Sequence, residues 1–393
     1  MQTEPLQRRA FLQASVLGLG ASLAGAALGQ EAPPNRLTGR PAPEEDNPLP
    51  IASQDQLGWA VAGVGHFAQN WAIPGIAKAR RAKLAGLITG SPDKAARVGA
   101  AYGLGEDAVH GYDMKRLADD DSVDVVYVIT PNALHEDLVI RAFEAGKHVM
   151  CEKPMAPTPA ACQRMIDAGK AAGRKLMVAY RAHFEPYNQL AKDRMAAGDL
   201  GEVWYAASDH HRPMDLGDAR DQWRAKKALA GGGSLVDIGI YGLNGLIWFL
   251  GEAPSRVRGT LSSPPGDPRF AEVEAFARVE LDFPSGRSAV ISSGYTGSVK
   301  RIDLVGEKVT ATLNPATEYR GNALHLVSAD GTDAPKPEQP SESQFGAEID
   351  HLCQAVQEGT EILTPGEMGL RDVELLTAIY RSAETGDWVE TGR

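Results

Sequence analysis

The sequence predicts an α/β protein with a parallel sheet in its first part and, in its second part, an α+β region with a large, open, mainly antiparallel sheet. Two observations lead to this prediction. Short apolar segments alternate with helical segments between Leu57 and residue 180, which is typical of a parallel sheet covered on both faces. Farther along, apolar residues occupy every second position from Val273 to Phe283, which predicts a strand with one packed face and one wet face.

The first predicted domain covers residues 54–180. Its strands are expected at 57–61, 83–88, 123–129, 148–151 and 176–179. Its helices are expected at 68–79, 94–102, 135–145 and 159–172. In a sheet of this kind, ligands bind at the carboxyl ends of the strands, so side chains that follow the strands are the first candidates for a site.

The second predicted domain covers residues 181–393. The turn Pro284-Ser285-Gly286 follows the alternating strand, and further strands at 287–293, 299–305 and 309–313 predict a β-meander. We expect a polar surface loop at 328–343 and two helices, at 344–358 and 366–384, that pack back onto the rest. An exposed face on this sheet would suit a homodimer or homotetramer.

Charge and cysteine content exclude two classes of site. The chain of 393 residues has a formal net charge of −11, and such an acidic surface repels phosphate backbones, so no nucleic-acid partner is expected. The three cysteines are scattered, without the spacing of a metal site or a disulfide framework. His210 and His211 are adjacent, and neighbours in a strand face opposite sides, so no metal site is predicted.

The N-terminus carries a paired arginine before an apolar run. Gln7-Arg8-Arg9-Ala10-Phe11-Leu12 precedes a Gly- and Ala-rich segment that is too short to span a bilayer stably. Residues 1–29 therefore resemble a twin-arginine export signal, which predicts a periplasmic protein and the twin-arginine machinery as a partner. The alternative is a disordered tail with a chance arginine pair. Residues 30–53 hold six prolines and predict an extended arm, either a plain linker or a segment that wraps a neighbouring subunit.

A glycine-rich turn follows the first strand and opens the first helix. Gly63, Gly65 and Ala68 occupy the three small-residue positions of a dinucleotide-binding turn, with His66 and Phe67 between them. The glycines allow close approach of the backbone to a pyrophosphate, and the helix N-terminus favours its charge. The alternative is a glycine-rich turn without a ligand, which the position between strand and helix makes less favoured.

The end of the second strand favours NADP over NAD. An NAD site usually places a carboxylate there, to bind the ribose 2′-hydroxyl. This strand instead ends at Thr89, Gly90 and Ser91, with Lys94 just beyond, and hydroxyls with a cation suit a 2′-phosphate. The carboxylate of Asp93 argues against a 2′-phosphate here, although as a helix N-cap it can point elsewhere.

Three further segments provide candidate chemistry. Thr130-Pro131-Asn132-Ala133-Leu134-His135 and Cys151-Glu152-Lys153-Pro154 each follow a predicted strand. Asp237 and Tyr241 lie four residues apart after a glycine run, so on a helix they project from the same face. Each has an ordinary structural alternative: Lys153 as a surface lysine, Asp237 as a helix cap and Tyr241 as a core residue.

Together these segments resemble the glucose–fructose oxidoreductase/inositol dehydrogenase (Gfo/Idh/MocA) family. The resemblance runs from about Leu57 to the C-terminus. Most members have histidine at the position of Tyr241, and this chain is similar to the glucose–fructose oxidoreductase branch in the form Asp-Ile-Gly-Ile-Tyr-Gly-Leu-Asn. Gln222-Trp223-Arg224, Pro315-Ala316-Thr317, the export signal and the proline-rich arm point to the same branch.

The resemblance implies a role for each candidate catalytic residue. Lys153 would donate a hydrogen bond to the reacting oxygen, Tyr241 would exchange a proton with the sugar hydroxyl, and Asp237 would orient the sugar or the lysine. Because a phenol is a poor base at neutral pH, we expect Lys153 to lower the pKa of Tyr241. The cofactor contacts it implies, beyond the glycine turn and the 2′-phosphate group of residues, are Tyr112, Thr130, Pro131, Asn132, His135, Glu152, Lys153, Arg181, Trp223 and Arg224.

Export and a nucleotide cofactor constrain each other. The periplasm offers no soluble NADP pool, so an exported redox enzyme must carry its nucleotide and regenerate it in place. We therefore expect a ping-pong cycle in which an aldose is oxidised at C1 to its lactone and a second sugar is then reduced. The alternatives are an aldose 1-dehydrogenase that releases NADPH, and a nucleotide- or sugar-binding sensor without turnover.

Overall fold

A computed structural model of the chain describes residues 55–332 and 343–392. The predicted export signal at 1–29 and the arm at 30–53 lie outside the described residues. So does most of the surface loop predicted at 328–343.

The first sheet has six strands in the order β3-β2-β1-β4-β5-β6, and every neighbouring pair is parallel. Its central strands are buried on both faces, which is why they read as continuous apolar runs. The prediction of a parallel sheet is confirmed. The strands are β1 (Leu57–Ala62), β2 (Ala82–Ile88), β3 (Val109–His110), β4 (Val125–Val128), β5 (His148–Glu152) and β6 (Leu176–Ala179).

Helices connect these strands, and they lie near the predicted positions. The predicted first helix divides into a π-helical turn, Ala68–Ala72, and an α-helix, and a short strand β3 that the sequence did not reveal extends the sheet. The helices are α1 (Ile73–Lys78), α2 (Pro92–Tyr102), α3 (His135–Glu144), α4 (Pro159–Ala172) and α5 (Pro186–Ala196).

The second sheet has eight strands in the order β13-β12-β11-β7-β10-β9-β8-β14. Strands β7 and β10 pair in parallel, whereas all other neighbours are antiparallel. The strands are β7 (Val203–His211), β8 (Arg256–Ser262), β9 (Phe276–Asp282), β10 (Ser288–Gly294), β11 (Val299–Gly306), β12 (Val309–Leu313), β13 (Leu324–Ser328) and β14 (Val389–Glu390).

The expected meander is therefore wrong in one respect, because β7 inserts between β10 and β11 at the centre of the sheet. The alternating burial from Val273 to Phe283 is confirmed, yet the strand itself begins only at Phe276. The reason is Glu274. Its carboxylate accepts hydrogen bonds from the backbone N–H groups of Gly233 (2.9 Å) and Leu235 (2.9 Å), which draws this segment out of the ladder.

Five further helices follow in the second domain: α6 (Ala219–Gln222), α7 (Lys227–Ala230), α8 (Ile240–Leu250), α9 (Gln344–Glu358) and α10 (Gly366–Thr385). Of these, α8 packs against β7 and β10, and α10 packs against β8. By length and composition the apolar stretch Lys227–Leu250 is long enough to cross a membrane, but 83% of its most apolar window is buried inside the protein, which identifies it as core.

Helix α9 packs against the first domain, which agrees with the expectation that the last two helices pack back onto the rest of the protein. Trp59 of β1 donates a hydrogen bond from Nε1 to Sγ of Cys353 (3.3 Å). A Cβ on Gly75 would lie only 2.8 Å from Cβ of Phe345, so the absence of a side chain there lets the two helices approach. Helix α9 thus holds the second domain against the parallel sheet of the first domain.

Candidate active site

The glycine-rich turn lies between the carboxyl ends of β1 and β4. Gly63 has φ +99°, and a Cβ there would lie 2.2 Å from the carbonyl oxygen of Ile129, so only glycine fits. A Cβ on Gly65, in contrast, would meet nothing within 4 Å. The turn therefore presents bare backbone to an open space, which is the arrangement that a pyrophosphate requires.

A second observation supports a dinucleotide in this groove. The hydroxyl Oγ1 of Thr130, at the end of β4, is buried and has no hydrogen-bond partner among the described residues. Buried hydroxyls are normally satisfied, so a lone one beside a glycine turn indicates a ligand contact. The residues present fit the nucleotide that the sequence predicts.

The end of β2 places hydroxyls and a lysine together. Oγ1 of Thr89 accepts a hydrogen bond from the backbone N–H of Ser91 (3.2 Å), and Ser91 caps helix α2 by accepting from the N–H of Lys94. The interpretation of Asp93 as the N-cap is wrong, because Ser91 holds that position; Asp93 is exposed in the first turn. Burial raises the pKa of Tyr112, whose hydroxyl lies beside Thr89.

Two predicted cofactor residues instead fix the loop after β4. Nδ2 of Asn132 donates to the carbonyl of Ala230 (2.8 Å). The buried His135 ring lies within hydrogen-bond distance of the carbonyls of Thr130 (2.8 Å) and Pro154 (3.1 Å). These contacts occupy both ring nitrogens of His135 and the amide nitrogen of Asn132. Pro131 directly precedes the helical turn Asn132–Leu134.

The three candidate catalytic residues meet at one point. Nζ of Lys153 donates to the backbone carbonyl of Asp237 (2.6 Å) and lies 4.0 Å from its Oδ1. The same Nζ lies 4.5 Å from the ring centroid of Tyr241. The side chains of Lys153 and Asp237 are only 10% and 13% exposed, so their charges interact in a largely desolvated pocket.

A glycine run positions Asp237. A Cβ on Gly232 would lie 2.1 Å from the hydroxyl of Tyr380, and one on Gly233 would lie 2.1 Å from the carbonyl of Glu274. This close approach starts the π-helical turn Leu235–Gly239, which continues into α8 and carries Tyr241 toward the same pocket. The sequence predicts the shared face of Asp237 and Tyr241 but not the π-helical geometry that produces it.

The carboxylate of Asp237 is held by Arg224, which was a predicted site residue, and by Arg212 and Tyr295, which were not. Its Oδ2 accepts hydrogen bonds from Arg212 (3.0 Å), Arg224 (3.1 Å) and the hydroxyl of Tyr295 (3.1 Å). Burial alone would raise the pKa of Asp237, but Arg224, Arg212 and Lys153 outweigh it and hold the pKa well below its usual range. Asp237 is therefore permanently ionised.

Arg224 was predicted to hold cofactor or substrate, and the structure places its Nε on Asp237. Its guanidinium also lies 4.4 Å from the ring centroid of Trp223. Arg212 and Tyr295 come from distant strand ends, and no motif in the sequence singles them out. Arg212 is further paired with Asp221 (2.9 Å), so Asp237 belongs to a network of two carboxylates and two arginines.

The pKa of Tyr241 contradicts one expectation. Burial raises it to about 12, although Arg181, whose guanidinium lies 4.9 Å from the ring centroid, acts in the opposite direction. The expectation that Lys153 brings this pKa down is therefore wrong, because desolvation of the phenolate outweighs the nearby cations. Tyr241 is a neutral phenol at neutral pH. Burial also disfavours the charged form of Lys153, which is a cation, and therefore lowers its pKa, although the negative charge of Asp237 opposes that effect.

Arg181 braces the pocket from the second domain. Its Nη1 donates to Oε1 of Gln344 (2.6 Å) and its Nη2 to the carbonyl of Thr317 (2.7 Å). Arg181 thus connects the segment after β12, helix α9 and the Tyr241 ring, and its predicted contact with the cofactor stays a prediction. His210 was also missed. It is buried, its ring centroid lies 5.1 Å from that of Tyr241, and its Nδ1 lies 3.1 Å from Oγ1 of Thr317.

Behind Lys153, Glu152 is held in a buried polar cluster. Its Oε1 accepts a hydrogen bond from the hydroxyl of Tyr127 (2.7 Å) and its Oε2 accepts one from the backbone N–H of Lys153 (3.2 Å). Burial raises the pKa of Glu152, against the opposing effect of Lys153. Glu348 of α9 is 1% exposed, and burial followed by repulsion from Glu152 raises its pKa well above the usual value.

The two domains meet over the glycine turn. Phe67 packs against Tyr319 and Phe345, with ring centroids 5.8 and 5.9 Å apart, and Trp71 joins the same cluster. His66 lies 3.2 Å from Nη1 of Arg220 in the second domain. Within residues 55–332 and 343–392, no group of three or more His, Cys, Asp or Glu side chains is arranged to hold a metal ion.

Residues 57–180 match the family described as "Oxidoreductase family, NAD-binding Rossmann fold", and residues 192–391 match its C-terminal alpha/beta domain. Among curated relatives, the D-xylose 1-dehydrogenase [NADP(+)] of Haloarcula marismortui is 31% identical over 337 residues, which cover 85% of this chain and 93% of that protein. The D-xylose 1-dehydrogenase (NADP(+)) 2 of Haloferax volcanii is 31% identical over 305 residues, covering 76% and 90%.

Among solved structures, the aldose-aldose oxidoreductase from Caulobacter crescentus, complexed with glycerol, has a TM-score of 0.82 and 41% sequence identity. That match covers 85% of this chain and 99% of the other. The two family matches cover both domains of this chain. The chain therefore belongs to the Gfo/Idh/MocA family of oxidoreductases.

Proposed function

We propose that this chain is an NADP-dependent sugar oxidoreductase that keeps its cofactor through a two-step cycle. In the first step an aldose is oxidised at C1 to its lactone, and in the second step another sugar is reduced in the same site. The observation that carries the proposal is the convergence of Lys153, Asp237 and Tyr241 at one point beside the glycine-rich groove.

Support for NADP comes from the end of β2. Thr89, Ser91 and Lys94 place two hydroxyls and a cation where the 2′ position of the adenosine ribose would lie. The D-xylose dehydrogenases to which the chain is similar are named for NADP(+). When bound, NADP supplies the acceptor and donor of the two electrons that pass between the sugars.

Proton transfer falls to Tyr241 and Lys153. As the C1 hydroxyl loses its proton, Tyr241 accepts it and passes its own to the neutral amine form of Lys153, a form that burial favours by lowering the pKa of this lysine. In the reducing step the same route runs backward, and the neutral phenol protonates the developing alkoxide. Asp237 stays ionised throughout and holds the lysine by its main chain and its charge.

One experiment tests the cycle directly. Purified protein should release stoichiometric NADP(H) on denaturation, as identified by mass spectrometry. Adding an aldose to the native protein should produce one equivalent of reduced-nicotinamide absorbance, which an acceptor sugar should then remove. Initial rates against both sugars should give parallel double-reciprocal lines, the signature of ping-pong kinetics. Purified protein without nucleotide, or a need for stoichiometric free NADP, would refute the proposal.

A second candidate function is an aldose 1-dehydrogenase that releases NADPH at each turnover. The similarity to D-xylose 1-dehydrogenases favours it. Loss of nucleotide during gel filtration, together with steady turnover only in added NADP, would identify this function and exclude the first.

We also propose that the protein is exported folded, with its nucleotide inside, by the twin-arginine route. The support is the sequence Gln7-Arg8-Arg9-Ala10-Phe11-Leu12 before a short apolar run. Replacing Arg8 and Arg9 by lysine should abolish its appearance in the periplasmic fraction. Undiminished export of that double variant would contradict this proposal.

The outer face of the second sheet is our candidate for homo-oligomer formation. Tyr205, Val299 and Val305 are exposed there, on adjacent strands β7 and β11. Exposed apolar residues on one sheet face are typical of subunit contacts. If the face joins subunits, Tyr205→Asp should lower the mass measured by analytical ultracentrifugation from that of a dimer or tetramer, and an unchanged mass would exclude the face.

A further inference from the structure

One contact bridges the groove between the two domains. His66 is the residue after Gly65 in the glycine turn, and its Nε2 lies 3.2 Å from Nη1 of Arg220. Arg220 belongs to α6, in the segment that connects β7 to the carboxylate network of the second domain. The two groups are therefore held together at the point where the turn opens for a pyrophosphate.

The charge of Arg220 is only partly matched on the protein. Its guanidinium pairs with Asp218, two residues before it, and its side chain is 55% exposed. The pKa of His66 is lowered, by burial and then by Arg220, so the neutral imidazole leaves the positive charge of Arg220 unchanged. A guanidinium is suited to bidentate contact with phosphate oxygens.

The space beside this contact is open. A Cβ on Gly65 would meet nothing within 4 Å, so the turn leaves room for a group to lie between its backbone and the arginine. An anion placed there would face backbone N–H groups on one side and a cation on the other.

We propose that Arg220 binds the pyrophosphate of the dinucleotide, from the second domain, and thereby helps to retain it. The guanidinium would exchange His66 for phosphate oxygens and close the groove over the cofactor. This inference rests on the nucleotide binding of the proposed function, but not on the identity of the sugars or on the cycle. Arg220 itself was not among the residues that the sequence singles out, although the motif Gln222-Trp223-Arg224 follows it directly.

The same segment connects the cofactor contact to the reaction site. The backbone carbonyl of Arg220 accepts a hydrogen bond from Arg224, whose Nε donates to Asp237. Asp221, the next residue, pairs with Arg212, which also donates to Asp237. Closure of Arg220 on the pyrophosphate would therefore hold in place the segment that positions the catalytic carboxylate.

The test is the rate at which bound nucleotide exchanges with isotopically labelled NADP in the full protein purified with its nucleotide. In Arg220→Gln this rate should rise about tenfold, which is the order expected for one lost charge-assisted hydrogen bond. Arg194→Gln is the matched control. Arg194 lies on helix α5, its side chain is 50% exposed, and it pairs with the carboxylate of Asp199. Its exchange rate should equal that of the unmodified protein.

A second variant separates binding from a structural role of the ion pair. Asp218→Asn keeps an N-cap side chain on α6 but removes the charge that competes with phosphate. It should exchange nucleotide no faster than the unmodified protein, whereas Arg220→Gln exchanges faster. Equal acceleration in both variants would assign the pair a purely structural role and overturn the inference.

Failure of this inference is distinguishable from failure of the proposed function. If the unmodified protein purifies without nucleotide, the retained cycle is wrong, and the dissociation constant of added NADP then takes the place of the exchange rate. An Arg220→Gln constant about ten times higher would still support the inference. A constant equal to that of the unmodified protein would overturn it.

Discussion

At the scale of single residues, Asp237 illustrates how burial and charge compete. Desolvation of a carboxylate is unfavourable, yet two arginines, one lysine and one tyrosine surround this one closely enough to keep it ionised. The negative charge of Asp237 also raises the pKa of Lys153, against the effect of burial on that lysine. The reactivity of the trio therefore depends on residues that never touch the sugar.

Lys153→Ala removes the group that we assign to proton exchange. We expect turnover to fall by about 10²–10⁴-fold, which is the usual contribution of general acid–base catalysis. Nucleotide content should not change, since Lys153 lies at the sugar end of the site. The measurement is the rate of nicotinamide reduction by an aldose, with Lys175→Ala as a control of the same residue type. Undiminished activity would favour a binding protein without turnover.

Arg212→Met leaves Asp237 with fewer partners. Because the folded-state pKa of this carboxyl lies below its unfolded value of 3.8, its ion pairs stabilise the protein above that value and stop doing so as the pH falls. At pH 7 we expect the free energy of unfolding to drop by about 3–5 kcal/mol, the order measured when a buried ion pair loses one partner. Because the pKa of Asp237 lies well below its usual range, the difference should shrink only below the unfolded value of 3.8, where the carboxyl of the variant is protonated first. A loss that stays constant below that pH would exclude this explanation.

Glu348→Gln tests the opposite sign. The pKa of Glu348 is raised by burial and by Glu152. Below pH 4.5, the pKa of this group in the unfolded chain, the acid is protonated in both states and does not oppose folding. Above that pH the free energy of unfolding falls, because the unfolded chain ionises this group more readily than the folded protein does. Glutamine mimics the protonated acid without titrating. The variant should be more stable than the unmodified protein at pH 8, and the gain should vanish near pH 4. Urea denaturation at several pH values measures it, and a gain that grows in acid would contradict it.

At the scale of elements, the glycine run before Asp237 is as important as the side chains themselves. Gly232 and Gly233 allow the backbone to touch Tyr380 and Glu274, and those contacts start the π-helical turn. Glu274 leaves its strand to satisfy the turn's N–H groups. One irregular element therefore fixes the direction of Asp237 and, through α8, of Tyr241.

Gly233→Ala should disrupt that element. Its Cβ would lie 2.1 Å from a backbone carbonyl, so the turn or Glu274 must move, and we expect a loss of about 2–4 kcal/mol in unfolding free energy with a matching fall in activity. Gly245→Ala, in helix α8, is the control. Its Cβ would meet Ile302 at 3.8 Å, and alanine favours helix by about 1 kcal/mol. Equal effects of both substitutions would show that the clash is unimportant.

At the scale of the whole molecule, helix α9 joins the two domains. Phe345 packs on Phe67, Trp71 and Tyr319, and Cys353 accepts a hydrogen bond from Trp59. Because the glycine turn belongs to one domain and Tyr319 to the other, the groove exists only while both are packed together. The site is a property of the interface rather than of either domain.

Phe345→Ala should therefore weaken both domains at once. Truncation of a buried phenylalanine costs about 3–5 kcal/mol, and Phe345 is 5% exposed. Calorimetry should show one unfolding transition, shifted to lower temperature, with nucleotide retention reduced in parallel. Two separate transitions, one at the original temperature, would indicate that the domains unfold independently.

The sequence by itself determined the parallel sheet, the glycine turn and the choice of Lys153, Asp237 and Tyr241 as candidates, which the structure brings together. These are local signals: burial on both faces gives apolar strands, a tight turn needs glycine, and chemistry-bearing residues follow strand ends. Helix α4 (Pro159–Ala172) and helix α9 (Gln344–Glu358) even have their predicted bounds.

Only the tertiary structure decided the rest. It placed β7 at the centre of the second sheet, committed Asn132, His135 and Arg181 to carbonyl groups, and raised the pKa of Tyr241. It also brought Arg212, Tyr295 and Arg220 to the groove from distant positions in the chain. Contacts between remote segments leave no local pattern, and desolvation depends on how completely neighbours exclude water, so neither can be read along the chain.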